Sequence, residues 1–337
     1  MIVLTNCLTQ TADEGCLKVA VSLVKRLKES APETTVIGYD RESPLCDVFL
    51  PLNKLMLSFR LRRELRKKKQ NVLFVPFAAK MRSTALRTLV VSMLARGKVV
   101  LLQSMYSPMG GLAKWLMKLS GAKLMCLSQD TYEYYKGKLD KQVMYMKTGV
   151  DTTRFSPIPA EKKRALREKY NIPKDKPVIL HVGHLKDSRN IGQLLQLDSR
   201  YHGILVVSTH DPGQQDAALR EALNQKDNLT LIDTFLPDIQ EIYQLADVYL
   251  FPVVEIKGCI DAPLSAMEAA ACGVPVAATP FRELKVLLKE EGFYEIGSFQ
   301  PDSLHDLLQK ALEEKKNPRQ AILSYDWSHA VQTILDI

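Results

Sequence analysis

Two kinds of hydrophobic pattern alternate along the chain. Short apolar runs such as 1–5 and 35–39 are typical of buried strands, and between these two runs Leu17, Val21 and Val24 recur at helical spacing. This β-α-β order predicts the start of a doubly wound parallel sheet. The same alternation predicts strands in 71–76 and 98–103, helices in 55–69 and 83–95, a helix followed by a strand in 110–128, and a last strand from 143.

The pattern starts again after a polar link. Pro173 and Pro177 interrupt the chain, and the apolar run that follows ends at Gly183. Helices are then predicted near 191–197, 215–224 and 238–245, and strands at 203–208, 229–232 and 248–251. The prediction is an α/β protein with two Rossmann-like domains facing a cleft, 1–155 and 156–320, and a final helix in 321–337 that returns to the first domain.

One stretch of the second half combines a helix, a tight turn and a strand. Leu264, Met267 and Ala271 recur at helical spacing after Pro263, and Gly273 suits a left-handed helix end. Helix N-termini bind phosphate, and Glu268 is placed to reach a sugar or ribose hydroxyl. An ordinary packed helix with a solvated glutamate explains the same pattern, so both interpretations stay open at this point.

Composition is that of a globular protein, with 46% hydrophobic and 25% charged residues. There is no apolar run of the ~20 residues that span a bilayer and no basic leader, so a soluble cytoplasmic protein is expected. The six cysteines form no CxxC pair, so neither a disulfide framework nor a zinc site is predicted. The first loop lacks G-x-G-x-x-G, which disfavours a dinucleotide-binding oxidoreductase.

Charge is distributed unevenly. Residues 1–150 contain 25 Lys+Arg against 11 Asp+Glu, whereas the remainder is acidic on balance. Such an excess indicates an anionic partner. The predicted helix 55–69, with Leu57, Leu61 and Leu65 four apart among arginines and lysines, favours an anionic membrane surface, although a crossover helix with solvated charges fits equally.

A second helix bears on the same question. Lys114, Trp115 and Lys118 lie on the helix predicted at the start of 110–128 and are candidates for the same lipid-facing surface, although Trp115 fits the protein core better. Nucleic acid is not expected as a partner, because no basic motif interleaved with aromatic residues accompanies the charge.

Several motifs in fixed order resemble the retaining glycosyltransferases of family 4, which have the GT-B fold. They are Thr148-Gly-Val-Asp151 with Arg154-Phe155 and Pro157, Leu180-His-Val-Gly-His-Leu185 with Arg189-Asn190, Ala246-Asp247 through Pro252, Pro263 through Val276, and Asp326-Trp327-Ser328. The resemblance implies a nucleotide-sugar donor held mainly by the second domain, and transfer to an acceptor held by the first. It also implies that neither a metal nor another cofactor takes part, in keeping with the lack of an Asp-x-Asp pattern. With the basic surface, it predicts a lipid-linked or envelope glycan acceptor at the cytoplasmic face of the membrane.

The resemblance also implies the site residues. Gly183, His184 and Arg189 contact the diphosphate, with Lys186 beside them, and His184 stands where the family usually has arginine. The helix start formed by Pro263, Leu264 and Ser265 binds phosphate through its backbone N–H groups, of which Pro263 itself has none, and Glu268 binds the ribose. Arg189, Lys186 and Asp261 are the catalytic candidates.

Two departures from the family pattern weigh against this interpretation. Ile260 occupies the position of the family's first glutamate, so Asp261 or Glu255 has to supply that carboxylate, and no histidine lies near Gln103 and Ser104, where one is usual. These departures keep open a non-catalytic GT-B-fold protein that binds or scaffolds a glycosylation complex. A sugar-nucleotide epimerase of the same architecture is a further alternative.

Overall fold

The computed structural model describes residues 1–9, 14–67, 69–77, 80–208, 216–256 and 258–337. The chain divides into two compact units, unit 1 with Met1–Thr148, Ile260–Ala262 and Trp327–Ile337, and unit 2 with Gly149–Cys259 and Pro263–Asp326. Each unit contains one parallel sheet covered by helices. The prediction of two Rossmann-like α/β domains is therefore confirmed.

Each sheet places its first strand at an inner position and builds outward. The strands are β1 (Ile2–Thr5), β2 (Thr35–Gly38), β3 (Val48–Phe49), β4 (Val72–Val75), β5 (Val99–Gln103), β6 (Lys123–Cys126), β7 (Val143–Tyr145), β8 (Val178–Gly183), β9 (His202–Val207), β10 (Leu229–Ile232), β11 (Val248–Phe251), β12 (Val276–Ala278) and β13 (Phe293–Glu295). Unit 1 has the order β3-β2-β1-β4-β5-β6-β7 and unit 2 the order β10-β9-β8-β11-β12-β13. The order of the strands reverses beside β1 and β8, where parallel sheets usually bind ligands.

The helices connect the parallel strands. They are α1 (Gly15–Ser30), α2 (Phe59–Arg66), α3 (Met81–Leu94), α4 (Gly111–Ser120), α5 (Gln129–Leu139), α6 (Ala160–Lys169), α7 (Ala217–Asn224), α8 (Ile239–Leu245), α9 (Leu264–Ala271), α10 (Leu284–Leu287), α11 (Pro301–Glu314), α12 (Arg319–Ile322) and α13 (Trp327–Leu335). In unit 1 the buried residues of α2, α3, α4 and α5 share one apolar cluster with the sheet. The last helix, α13, packs against α1.

Several sequence predictions fail in detail. Leu57 is exposed because α2 begins only after Ser58, whose hydroxyl accepts the Leu61 N–H, so the buried stripe starts at Leu61. Trp115 is also exposed, because Ala113, Leu116 and Met117 fill the side of α4 that faces the core.

Other differences concern whole elements. The segment predicted as a helix at 191–197 is a 3-10 helix, Ile191–Gln196, that follows Asn190 in a left-handed conformation with φ 54°. Helix α5 and strand β3 were not predicted. Lys68, one of the lysines of the predicted basic helix 55–69, lies outside the described residues, and so do Thr209 and His210, which follow the strand predicted at 203–208. In the part of the chain that the structure describes, no helix is long and apolar enough to cross a membrane.

Candidate functional site

The turn after β8 brings together the residues predicted to bind the diphosphate. Arg189 Nη2 lies 3.3 Å from His184 Nδ1, and both side chains are half-buried. A guanidinium group only donates hydrogen bonds, so Nδ1 of His184 accepts and its Nε2 carries the hydrogen. The pair therefore presents a guanidinium and an imidazole N–H, two groups that suit an anion.

Gly183 is needed at the end of β8 because of its neighbours. A Cβ atom at this position would lie 3.0 Å from His181 Nε2 and 3.7 Å from Arg189 Nη1. The absence of a side chain lets the His181 ring lie close to the strand end, whereas the contact with Arg189 would be an ordinary one. Lys186 belongs to the same turn, since its N–H donates to the His184 carbonyl at 3.0 Å and its carbonyl accepts the Arg189 N–H at 3.0 Å.

Contacts with the end of β11 hold this turn in place. Asn190 adopts its left-handed conformation with Nδ2 donating to the Pro252 carbonyl at 3.2 Å. The backbone at Gly258 approaches so closely that a Cβ there would lie 2.9 Å from the Ser188 carbonyl oxygen. The turn and the loop that follows β11 thus pack directly against one another at the carboxyl edge of the sheet.

Helix α9 presents the second group of predicted donor ligands. Pro263 occupies its N-cap position, and no described side chain caps the helix. The N–H groups of Leu264 and Ser265 therefore lack the side-chain partner that most helix starts have. One turn further, Glu268 is buried, and the Tyr243 hydroxyl donates a hydrogen bond of 2.8 Å to its Oε2.

Tyr243 stays protonated and can only serve Glu268 as a donor. Its complete burial, and next the negative charge of Glu268, raise the pKa of the Tyr243 hydroxyl well above its usual value. The hydrogen bond fixes the direction of the carboxylate on α9. Glu268 is accordingly held in place before any ligand binds.

A second tyrosine connects helix α9 with β8. The Tyr249 hydroxyl hydrogen-bonds to the Ser265 side chain and donates to the Val182 carbonyl at 3.2 Å, next to Gly183. Through Tyr249, the start of α9 and the turn after β8 share one buried support. The two groups of predicted donor ligands in unit 2 are thus brought together.

His181 lies beneath the same turn. It is completely buried, its Nδ1 hydrogen-bonds to the Leu250 carbonyl at 2.8 Å, and its ring stacks on Tyr249 with centroids 6.1 Å apart. Burial lowers the pKa of His181 to about 4, so the ring is neutral at pH 7 with the hydrogen on Nδ1. Its Nε2 has no partner among the described residues and faces the backbone of Gly183.

Asp261 is located in unit 1, apart from the other predicted site residues. It is fully buried, and its two carboxylate oxygens accept hydrogen bonds from Tyr106 N at 2.8 Å and Thr131 Oγ1 at 2.6 Å. Its own N–H donates to the Ser104 carbonyl at 2.9 Å. Asp261 therefore lies at the carboxyl end of β5, beside the position near Ser104 where the family resemblance expects a histidine.

Sequence reasoning missed the buried polar support. His181, Tyr243 and Tyr249 each lie within an apolar run of the sequence. A polar side chain in such a run needs a hydrogen-bond partner once it is buried, and this is the signal that could have identified them. None of the three was assigned a role from the sequence. Among the described residues, no group of three His, Cys, Asp or Glu side chains is arranged to hold a metal ion.

One known protein family matches part of the chain. Residues 162–324, which include the turn after β8 and helix α9, match the family described as glycosyl transferases group 1. No curated protein sequence matches the chain significantly.

Solved structures resemble the whole chain. A glycosyltransferase from Rickettsia africae superposes with a TM-score of 0.79 at 13% identity, covering 99% of this chain and 96% of that one. The Anabaena protein HepE in complex with UDP-glucose gives 0.74 at 14%, covering 99% and 98%. WaaG, a glycosyltransferase involved in lipopolysaccharide biosynthesis, gives 0.67 at 14%, covering 100% and 99%. The chain has the GT-B fold of these proteins.

Proposed function

We propose that this chain, a glycosyltransferase by its group 1 domain and its GT-B fold, is a retaining enzyme that moves a sugar from a nucleotide-sugar donor to a lipid-linked or envelope glycan. The transfer takes place at the cytoplasmic face of the membrane. The observation that carries the proposal is the shared support of the turn after β8 and helix α9 in unit 2. It joins an Arg–His pair suited to phosphate to a glutamate suited to ribose.

Donor binding uses two kinds of group. Arg189, Lys186 and the Nε2–H of His184 face the diphosphate, together with the N–H groups of Leu264 and Ser265 after Pro263. Glu268, oriented by Tyr243, accepts hydrogen bonds from ribose hydroxyls. The UDP-glucose complex of the structurally similar HepE supports a nucleotide sugar as the ligand class.

The chemistry required of the site follows from the leaving group. As the bond between the anomeric carbon and the diphosphate oxygen breaks, its electron pair leaves with the diphosphate, which gains negative charge. Arg189, Lys186 and the start of α9 stabilise that charge where it develops. The acceptor hydroxyl oxygen then bonds to the anomeric carbon on the same face, and its proton passes to the departing diphosphate, so configuration is retained and no metal is required.

Asp261 is proposed as the carboxylate that replaces the family's first glutamate. The Asp261 carboxyl group accepts hydrogen bonds from Tyr106 N and Thr131 Oγ1, which gives it a fixed position at the end of β5. An Asp261→Asn variant separates catalysis from folding, because a catalytic role lowers kcat while donor affinity and the unfolding midpoint change little. A fall in the midpoint with kcat unchanged per folded molecule would assign Asp261 to structure alone.

The membrane part of the proposal rests on the basic residues of 55–69. On α2 and just after it, Arg60, Arg62, Arg63 and Lys67 are exposed, and they line or flank a depression of about 490 Å³ bordered by Phe59. Several cations on one exposed helix attract anionic headgroups by on the order of 1 kcal/mol each. This surface supports an acceptor that is itself attached to lipid.

Titration calorimetry with a panel of nucleotide sugars, UDP-glucose first, tests the donor site. We expect Arg189→Ala and Glu268→Gln each to weaken binding roughly 10- to 100-fold, since each removes a charged hydrogen-bonding group from the ligand. Arg200→Ala is the matched control, because Arg200 is exposed on unit 2 and pairs with Asp198 at 2.7 Å. Absence of binding to every donor, or equal binding by all variants, would contradict the proposal, and binding without transfer would favour the scaffolding role.

A further inference from the structure

Helix α4 exposes a row of large apolar side chains. Leu112, Trp115 and Leu119 are 57%, 59% and 58% exposed, and their spacing of three and four residues places them on one side of the helix. Ala113, Leu116 and Met117 on the opposite side are buried in the core. Residues other than the exposed row therefore attach α4 to the sheet, so the apolar character of the row is not explained by the folding of unit 1.

Neighbouring helices also expose apolar side chains. Helices α2, α3 and α4 pack into the same core cluster, and α3 contacts both of the others, so their outer sides face the same way. Met93 on α3 is 69% exposed and Phe59 on α2 is 89% exposed. The Arg66 Nε group of α2 donates to the Leu94 carbonyl at the end of α3 at 2.9 Å, which fixes the two helices together. We call the exposed sides of α2, α3 and α4 together the outer face.

The charge of the outer face is almost entirely of one sign. The three helices contain eight arginines and lysines and a single acidic residue, Glu64. Glu64 is buried and paired with Lys67 and Arg63. On α4, Lys114 and Lys118 lie one turn apart beside Trp115. A second copy of the chain docked on this face would bring like charges together, whereas an anionic surface with an apolar layer beneath it matches both properties.

We infer that helix α4 lies in the interface of an anionic lipid bilayer. Leu112, Trp115 and Leu119 enter the acyl region, and Lys114 and Lys118 together with the arginines of α2 contact lipid phosphates. Helices that combine Trp and Leu with lysines in this way are typical of interfacial binding, and tryptophan favours the boundary between headgroup and chain. The inference rests on the proposed function for the choice of a membrane, and adds an inserted apolar element to the electrostatic contact through 55–69.

Tryptophan fluorescence tests the insertion directly. The chain has two tryptophans, Trp115 and the buried Trp327. With vesicles of phosphatidylglycerol and phosphatidylcholine whose acyl chains are brominated, we expect quenched, blue-shifted emission from the full chain. The Trp115→Phe variant, which retains only Trp327, should show neither change. Unquenched emission of the full chain at saturating lipid would overturn the inference.

Flotation with the same vesicles measures how much the exposed apolar side chains of α4 contribute to membrane binding. We expect Leu112→Gln, Trp115→Gln and Leu119→Gln combined to lower the partition coefficient roughly tenfold or more, since an interfacial helix binds through its buried apolar area. Phe235→Gln, which changes an exposed aromatic residue of unit 2, is the matched control and should bind as the wild type does. Equal binding of the triple variant would overturn the inference, as would an oligomer that only the wild type forms.

Donor titrations on the same preparations separate this inference from the proposed function. The triple variant should bind nucleotide sugar with unchanged affinity, because all three substitutions lie in unit 1 and the donor residues in unit 2. Loss of quenching with intact donor binding contradicts only the bilayer contact. Quenching without donor binding contradicts only the donor site.

Discussion

The proposed donor site of unit 2 and the outer face of unit 1 use polar groups in opposite ways. In unit 2, Glu268 is buried and receives the Tyr243 hydroxyl, and Arg189 contacts His184. On α2, Arg62 and Arg63 lie exposed on a helix whose only carboxylate is buried. The region in unit 2 holds a few charged groups in fixed directions, whereas the region in unit 1 exposes many charged groups to water.

This difference has a physical consequence for what each region can recognise. Buried, oriented groups discriminate between ligands, because a mismatched ligand leaves a desolvated group without a partner. Exposed charges attract any anionic surface and are weakened by salt. The effects of substitutions in the two regions should therefore differ in magnitude, in their dependence on salt, and in whether ligand binding, stability or membrane binding changes.

The largest expected effect follows from removing the support of Glu268. Tyr243→Phe deletes the hydroxyl that donates to the buried carboxylate, and a hydrogen bond to a charged group contributes about 1.5–3 kcal/mol. We expect donor affinity to fall at least tenfold, measured by calorimetry, with a lower unfolding midpoint. Tyr294→Phe is the matched control, because Tyr294 donates to Glu314 at 3.0 Å, and Glu314 is exposed. Equal effects of the two variants would remove the contrast between buried and exposed carboxylates.

An intermediate effect concerns the pH dependence of stability. The pKa of His181 is lowered from 6.5 to about 4 by burial, so the unfolded chain binds this proton more tightly than the folded chain. Stability is then lost as pH falls from about 6.5 towards 4, by about 2 kcal/mol between pH 7 and pH 5.

Chemical denaturation at those two pH values measures this loss. His181→Phe should lose less stability than the wild type on acidification, by about that amount. The control is His329→Gln, because His329 is exposed on α13, and it should keep the wild-type difference between the two pH values. A His181→Phe protein with the full acid destabilisation would show that another group titrates on unfolding.

The smallest effect is expected on the outer face. Arg62→Gln should weaken binding to phosphatidylglycerol vesicles by about 1 kcal/mol at low salt, and by less as ionic strength rises. Arg164→Gln, which changes a basic residue of α6 in unit 2, is the comparison variant and should have no such effect. A salt-independent loss, or the same loss in both variants, would show that the exposed arginines of α2 do not act through their charge.

Sequence patterns predicted most strands and helices because period and apolar content decide them locally. The strands that end at Gly183 and Phe251 and the helix that ends near Gly273 are where the pattern placed them. Trp115 was assigned to the wrong side of α4, since helical spacing fixes which residues share a side but not which side meets the sheet. The prediction that Leu57 belongs to the apolar stripe of the helix in 55–69 was wrong, because the cap at Ser58 starts the helix later than the apolar spacing suggested.

The residues themselves determined that this is an α/β chain with two sheets, with a glycine-ended strand followed by His184 and Arg189, and with an excess of basic charge in its first half. Only the tertiary structure placed Tyr243 against Glu268 and Tyr249 between Ser265 and Val182, because those contacts join elements far apart in the chain. It also placed Asp261 in unit 1, whereas helix α9, which follows it in the sequence, belongs to unit 2. Local propensity acts over a few residues, whereas the partner of a buried polar group is decided by packing between elements.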